Sequence, residues 1–419
     1  GIFMNVTGII AEYNPLHCGH RHHLTLSRER TGADYLIAVM SGDYVQRGEA
    51  AVADKYLRTR MALLAGADLV LELPFPFCCS SAEDFASCGV SLLDQLGVVN
   101  ALSFGSEAGD AQALMAAAKL LSQEPEEYQA ALKKALSRGM SFAAARQAAL
   151  KGSGQAAENS PKETPDALLS SPNNILGVEY LRALLRLKSS IRPVTIRREG
   201  DGYHETGVRD GVFASATALR RVLREDGKHG LSSLTGQVPE DCLPLLMEGR
   251  FLFPEDFSRI LDYAILTKER DGFLQYAGFS RELAGRLAAR ALETGSWQDR
   301  VLQLKTKNYT YARISRALLS LVLDVRAEEL SRWRDGGISA PSPRVLGFKR
   351  SPIPLLSAIK AHSAIPLISK PADAGRLLSP EAFSMFEAGV TAAHVRGAVE
   401  AGKYGGTAVH EYQRQIVVM

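Results

Sequence analysis

Short, uninterrupted apolar runs open the chain, and each one stops at a turn former. MNVTGIIAE (residues 4–12) breaks at Tyr13-Asn14-Pro15, where proline disfavours helix for the residue before it. YLIAVMSG (35–42) ends at glycine, and ADLVLELP (67–74) closes on Pro74. A fourth run at 99–104 precedes Gly105-Ser106-Glu107. Runs of this kind predict buried strands. Helical periodicity fills the intervals at about 19–30, 54–65 and 82–96. Strands alternating with helices predict βαβ units, and so an α/β fold with a doubly wound, mainly parallel sheet. Ligands on such sheets bind outside the carboxyl ends of the strands. Those ends are Glu12 to His20, Ser41 to Gly48, Pro74, and Gly105 to Glu107.

Between about 110 and 165 the pattern changes to an Ala, Leu, Lys and Gln-rich stretch, read as a helical insertion. It ends in KGSGQAAENSPKETPD (151–166), read as a mobile loop. The α/β pattern then resumes. SPNNILGVEYLRALLRL reads as a turn leading into a helix, PVTIRR (193–198) as a strand, and SATALRRVLRE as a helix capped by Ser215. Strand signals fade after DGKHG, so a domain boundary is expected near 228. Residues 4–228 form the first unit and 229–419 a mainly helical second unit, with a proline-punctuated tail after 340. There is no internal repeat.

Composition narrows the class. The 419 residues are 46% hydrophobic and 23% charged, which suits a globular chain of about two domains and excludes collagen-like and disordered classes. No run of ~18 apolar residues is present, so no membrane span is expected. The five cysteines (Cys18, Cys78, Cys79, Cys88, Cys242) lack a paired spacing, which favours a reducing cytoplasm over a disulfide or zinc scaffold. Gly1, Ile2 and Phe3 read as a remnant ahead of Met4, with no signal peptide.

Three segments carry chemistry. His17-Cys18-Gly19-His20 lies where the first strand gives way to the first helix, placing two imidazoles beside a helix N-terminus suited to an anion. Gly19 allows close backbone approach. His22 and His23 follow one turn on, at least one of them facing solvent. In the second segment, Ser215, Thr217 and Arg220 open the helix after PVTIRR. They read either as an anion cradle or as an N-cap with a surface arginine. In the third, Asn173 and Asn174 start another helix. One suffices as a cap, leaving the other for a base edge or ribose. Arg198, ending the intervening strand, lies near both in topology.

HxGH after the first strand, with a Ser-or-Thr-xxxxR helix start after a late one, resembles the nucleotidyltransferase superfamily that includes class I aminoacyl-tRNA synthetases. Longer segments resemble one family within it: GIIAEYNPLHCGHRHHL, MSGDYVQRGEAAVADKYLRTRMALLAGADLVLELP, SFGSEAGD, SPNNILGVEYLRAL, GYHET, FASATALRR, KTKNYTYARISRALLSLVL and RVLGFKR. These are similar to the tRNA(Met) cytidine acetate ligases over nearly the whole chain, least in the 110–165 insertion and the last 40 residues. One departure is Ala50, where the family pattern has proline. Cys18 fills a variable position.

The resemblance implies a two-step reaction with ATP as substrate. Acetate and ATP give acetyl-adenylate and pyrophosphate, then N4 of the wobble cytidine of elongator tRNA(Met) takes the acetyl group. ATP contacts would fall on Ile10, Ala11, Glu12, Tyr13, Asn14, Pro15, Gly19 and His23, with Gly105, Asn173, Asn174, Arg198, Ser215 and Thr217. His17, His20 and Arg220, with Mg²⁺ bound through the phosphates, would neutralise developing charge. A carboxylate nucleophile needs no general base. Asp43 and Glu107 are candidates for removing the amine proton in the second step. Gln46, Arg47 and Lys55 are candidates for acetate or phosphate, in competition with a loop salt bridge from Arg47 to Glu49 or Asp54.

Net charge is only +3, yet residues 301–370 hold 12 Lys or Arg against four acids, a local excess of 12 − 4 = +8. Lys305, Lys307, Arg313 and Arg316 interleave with Tyr309 and Tyr311, and Lys349 and Arg350 follow. This mixture suits RNA phosphates and bases, or else forms a solvated helical face. Two rival functions share part of the pattern: a coenzyme-type adenylyltransferase, which needs no basic segment, and an RNA-binding protein that keeps a nucleotide fold without catalysis. An acetyl-CoA-dependent acetyltransferase has no use for HxGH. No obligate protein partner is evident.

Overall fold

The computed structural model describes residues 3–152, 164–198, 214–338, 341–351 and 353–419. The predicted alternation is seen as β1 (Val6–Ala11), α1 (Cys18–Thr31), β2 (Tyr35–Ser41), a short hairpin β3 (Tyr44–Val45) and β4 (Glu49–Ala50), α2 (Lys55–Ala65), β5 (Leu69–Leu73), α3 (Ala82–Gln95) and β6 (Ala101–Ser106). The insertion is helical, as expected: α4 (Ala111–Gln123), α5 (Glu126–Ser137) and α6 (Phe142–Gly152). A single turn α7 (Pro165–Leu168) leads to α8 (Pro172–Leu187), β7 (Arg192–Arg197) and α9 (Ala216–Asp226). Most of the loop expected at 151–166 and the GYHET segment lie outside the described residues.

The sheet order is β7-β6-β1-β2-β5-β8-β9. β1 pairs in parallel with β2 on one side and β6 on the other, so the order reverses direction beside β1. Side-chain alternation along each strand supplies both faces. Val6, Ile10, Ile37, Val39, Leu69 and Leu71 point into one cluster with α3, α4 and α8. Ile9, Leu36, Ala38, Met40 and Val70 point into the other, with α1, α2 and α9.

The second half supplies α10 (Leu243–Met247), α11 (Ser258–Lys268), α12 (Arg281–Ala289), α13 (Trp297–Leu304), α14 (Tyr311–Val322), α15 (Ala327–Gly337), α16 (Ile353–His362), α17 (Ala374–Leu377) and α18 (Pro380–Tyr404). It also returns to the sheet. β8 (Arg344–Phe348) runs antiparallel to β5, and β9 (Val417–Val418) pairs with β8. RVLGF is too short, and glycine-interrupted, to announce a strand. Its partner is remote in sequence, so the sheet crosses residue 228 where the sequence pattern shows no strand. Behind that edge, buried Lys55 meets Asp43, Glu72 and Glu411 at 2.7, 2.9 and 2.7 Å, and Arg344 meets Glu411 at 2.6 Å. The helical half also braces the loop after β2. Tyr44 donates to Ala392 O, and Arg396 to Ala51 O, both at 2.8 Å. No helix among the described residues is long and apolar enough to cross a membrane.

Candidate active site

HxGH sits at the reversal point of the sheet, the place where folds of this kind hold a ligand in the crevice beyond the carboxyl ends of the strands, here β1 and β6. His17 caps α1: its Nδ1 accepts the Gly19 N–H at 3.0 Å, and the Nδ1 of His20 accepts the His17 N–H at 3.1 Å. The two rings stack at 3.7 Å between centroids, and Tyr13 meets His20 edge-on at 5.0 Å. Because each Nδ1 is an acceptor, a neutral ring carries its proton on Nε2, which makes each imidazole a donor toward a ligand. Neutrality is favoured as well. Burial, with Arg198 and Arg220 nearby, pulls His17 down to about 3, and burial with His17 and Arg198 pulls His20 well below its ordinary value. His23 falls to about 4, chiefly through burial.

The expectation of unpaired N–H groups at the start of α1 is not met. Cys18 N–H donates to Gln237 O at 2.8 Å, Gly19 to the His17 ring, and His20 and Arg21 to His17 O. For Cys18 the reason is that the residues after α9 fold back onto this turn, while His17 meets the other three within the turn itself. Donors for an anion here are therefore side chains.

Those side chains converge from far apart. Ser215 caps α9, its Oγ accepting Ala218 N–H at 3.1 Å, as its N-cap reading requires. Arg220 is not a loose surface residue. Nη1 donates to Asn14 O at 2.8 Å and Nη2 to Thr217 Oγ1 at 3.1 Å, so the Ser215–Arg220 turn docks beside HxGH. Arg198 approaches from the end of β7, its backbone N–H on Ser106 O at 2.9 Å. Its stem lies over Gly105, where a Cβ would come within 3.2 Å of Arg198 Cγ.

The chain ends of β1 and β2 are held by Arg58, fully buried, which donates to the carbonyls of Glu12, Tyr13, Ser41 and Gly42 at 2.8, 3.0, 2.5 and 2.7 Å. Sequence reasoning passed over it; DKYLR carried the signal only as a motif. Tyr13 takes a left-handed φ of 48° there. Asn14 Oδ1 accepts Val52 N–H at 2.7 Å, and the carboxyl of Glu12, raised in pKa by burial, accepts Gln46 N–H at 2.8 Å. Ile10 is core, its side chain packed on Gly89. Ala11, partly exposed, ends β1, and Pro15, buried, follows Asn14. Arg47 makes neither expected loop salt bridge among the described residues. It lies over Tyr311 at 4.6 Å, while Asp54 caps α2.

Both candidate second-step carboxylates are engaged. Asp43 is paired with Lys55. Glu107 caps α8, accepting Asn173 N–H, Asn173 Nδ2 and Asn174 N–H at 3.3, 2.9 and 2.9 Å. Asn174 is itself buried, holding Ala108 N–H at 3.0 Å, so its amide serves the loop rather than a base edge. The partly exposed Asn173 borders the crevice from the β6 side.

The basic segment divides. Lys305, Lys307 and Arg313 are exposed and Tyr311 is half-buried. Tyr309 is buried, its hydroxyl 2.5 Å from Ser280 Oγ and Arg313 stacked on its ring, so it offers no face to a base. Arg316 is drawn inward to Gln46 O at 3.0 Å, and Arg344 belongs to the buried ion cluster. Lys349 and Arg350 follow β8 at the amino end of β5, where Lys349 N–H meets Asp68 O; they lie across the sheet from HxGH.

Residues 4–404 match the model of a family described as HIGH nucleotidyl transferase. The chain is 38% identical over 379 residues to the protein named tRNA(Met) cytidine acetate ligase in Acetivibrio thermocellus, covering 88% of this chain and 89% of that one. It is 39% identical over 373 residues to the protein so named in Clostridium kluyveri, covering 88% and 90%. Crystal structures of Thermotoga maritima TmcAL superpose on it over 99% of this chain and 100% of theirs. The apo form gives a TM-score of 0.90 at 33% identity, and the form bound with alpha-thio ATP gives 0.87 at 32%.

Proposed function

The chain belongs to the HIGH nucleotidyltransferases and, within them, to the tRNA(Met) cytidine acetate ligases, and from that premise we propose how its residues carry out the reaction. ATP lies in the crevice beside β1, with its phosphates toward HxGH and its nucleoside toward Gly105, Asn173 and Arg198. An acetate oxygen attacks the α-phosphorus, the bond to the bridging oxygen breaks, and pyrophosphate departs with the electron pair. Charge grows on phosphoryl oxygens, which accept from His17 and His20 Nε2 and from Arg220. The observation that carries this reading is the pair of imidazoles locked as neutral Nε2–H donors by backbone N–H groups on both Nδ1 atoms. These donors match phosphate oxygens rather than a cation, so Mg²⁺ would be held by the nucleotide's own phosphates and neutralise them.

In the second step the cytidine N4 attacks the acetyl carbon, a C–N bond forms, AMP leaves with the C–O electrons, and the amine loses a proton. Asp43 and Glu107 are both committed elsewhere in this conformation, which favours proton loss to water or to the departing phosphate. We assign the nucleotide chemistry to the 4–228 portion and the RNA grip to 229–419, where Lys305, Lys307 and Arg313 are exposed. On this reading the protein works on the tRNA pool of the cytoplasm.

Acetate-dependent exchange of labelled pyrophosphate into ATP tests the first step. Exchange with acetate alone is the expected result, and exchange only with tRNA would make adenylation RNA-gated. Absence of exchange under both conditions would overturn the reading in favour of the coenzyme-type or non-catalytic alternatives.

A further inference from the structure

A cavity of about 310 Å³ opens where the chain leaves β5 and meets α14 and α15. That is the size of a small-ligand site, and it is separate from the HxGH crevice. Phe75, Leu319, Leu323, Val325 and Leu330 make its apolar walls. Arg313, Arg316, Arg334 and Asp84 bring charge to it, beside the hydroxyls of Ser80, Ser81 and Ser320.

The charges are unequally matched. Arg334 forks onto Asp84, with contacts of 2.9 and 3.1 Å, and Ser80 Oγ also donates to Asp84 at 2.8 Å. Arg313 and Arg316 have no such partner: among the described residues no carboxylate lies within 4 Å of either guanidinium. Arg316 is mostly buried, which lowers its pKa, and its side chain is anchored through Nη1 on Gln46 O. A desolvated cation without a counter-ion favours an incoming acceptor. Leucine and valine walls do not suit a small inorganic anion, and two uncompensated arginines do not suit an apolar ligand. A flat heterocycle with carbonyl acceptors, joined to phosphate, satisfies both. Guanidinium planes also stack on bases.

Gln46 connects this cavity to the first crevice. Its N–H donates to Glu12 at 2.8 Å, its Nε2 to Ser80 O at 3.3 Å, and its carbonyl accepts Arg316. Gly48, two residues on, has φ 83°, and a Cβ there would fall 2.4 Å from Arg316 N, so only glycine lets α14 seat against this loop. In strand order β5 stands two places from β1, or about 10 Å. One nucleoside spans that gap.

We propose that this cavity receives a single unpaired nucleotide of the RNA substrate, with its base between the apolar walls and its carbonyl or phosphate oxygens on Arg316 and Arg313. The identity of that nucleotide as the acceptor cytidine rests on the ligase reading above. The cavity itself does not.

Two measurements separate the two. A tRNA anticodon stem-loop carrying a fluorescent cytidine analogue at the wobble position is titrated with the wild type, with Leu330→Trp to fill the cavity, and with Arg316→Leu to remove its cation. Unstacking on binding should brighten the analogue with wild type, and both variants should abolish at least about four-fifths of that change. Acetate-dependent pyrophosphate exchange should stay within about two-fold of wild type in Leu330→Trp, while acetyl transfer to the RNA falls at least about 50-fold. An unchanged fluorescence response and transfer rate in a folded Leu330→Trp protein would overturn the proposal. Loss of exchange together with transfer would assign the cavity to ATP or acetate instead. A wild type with no exchange but a variant-sensitive fluorescence response would sink the ligase reading and leave the nucleotide cavity standing.

Discussion

Arg220 donates to the carbonyl oxygen of Asn14 across 2.8 Å of space and 206 positions of sequence. That bond joins the helix start after β7 to the turn after β1, and so ties HxGH and the Ser215 turn into one arrangement. Arg220→Lys keeps the charge but loses the fork that reaches Asn14 and Thr217 together. Adenylation measured by pyrophosphate exchange should fall about 100-fold, with the circular dichroism spectrum unchanged. Near-normal exchange in Arg220→Lys would reduce the arginine to a point charge.

His20→Ala should also cost about 100-fold or more in adenylation, while affinity for tRNA stays nearly constant, because in the proposed mechanism the imidazole acts on phosphoryl oxygens rather than on RNA. His20→Asn keeps a donor and should recover part of the loss. Equal rates for the two variants would show that the Nε2–H donor does not act in the transition state.

Acid should destabilise the protein through the same histidines. His17 and His23 are held to about 3 and about 4, and an unfolded histidine titrates near 6.5. Between those values the unfolded chain binds protons that the native one refuses, so stability is full above about pH 6.5 and is lost as pH falls toward 4. Urea midpoints between pH 7.5 and 4.5 should trace this decline, with a shallower slope in His23→Gln. A wild-type midpoint independent of pH would contradict burial of neutral rings.

Removing Arg58 strips the donors from four carbonyls at the ends of β1 and β2, three of them buried. Arg58→Met should lower stability by at least about 3 kcal/mol, read from urea unfolding at pH 7.5. A loss below about 1 kcal/mol would mean that water replaces the guanidinium there.

For the proposed RNA surface, Lys305→Ala with Arg313→Ala should flatten the dependence of tRNA binding on salt by roughly 0.7–0.9 log units per phosphate contact removed. Lys349→Ala with Arg350→Ala should leave that slope unchanged, because both residues lie at the amino end of β5. The reverse pattern in filter-binding assays would relocate the RNA to the opposite end of the sheet.

What the sequence by itself determined is local. Apolar runs ending at Pro15, Gly42 and Pro74 specify strands because a strand's side-chain period and its terminators are properties of consecutive residues. Ser215 as an N-cap and HxGH at a strand-to-helix turn follow for the same reason. The family motifs were legible too, since they are contiguous. The tertiary structure decided everything that depends on pairing across the chain. It closed the start of α1 with Gln237 O, spent Glu107 on capping α8, and buried Tyr309 against Ser280. It returned Arg344 to the sheet on β8, beside Lys55 and Glu411. A side chain's free valences are counted only after its neighbours in space are known, and composition and spacing record the donors and acceptors without saying which have already met.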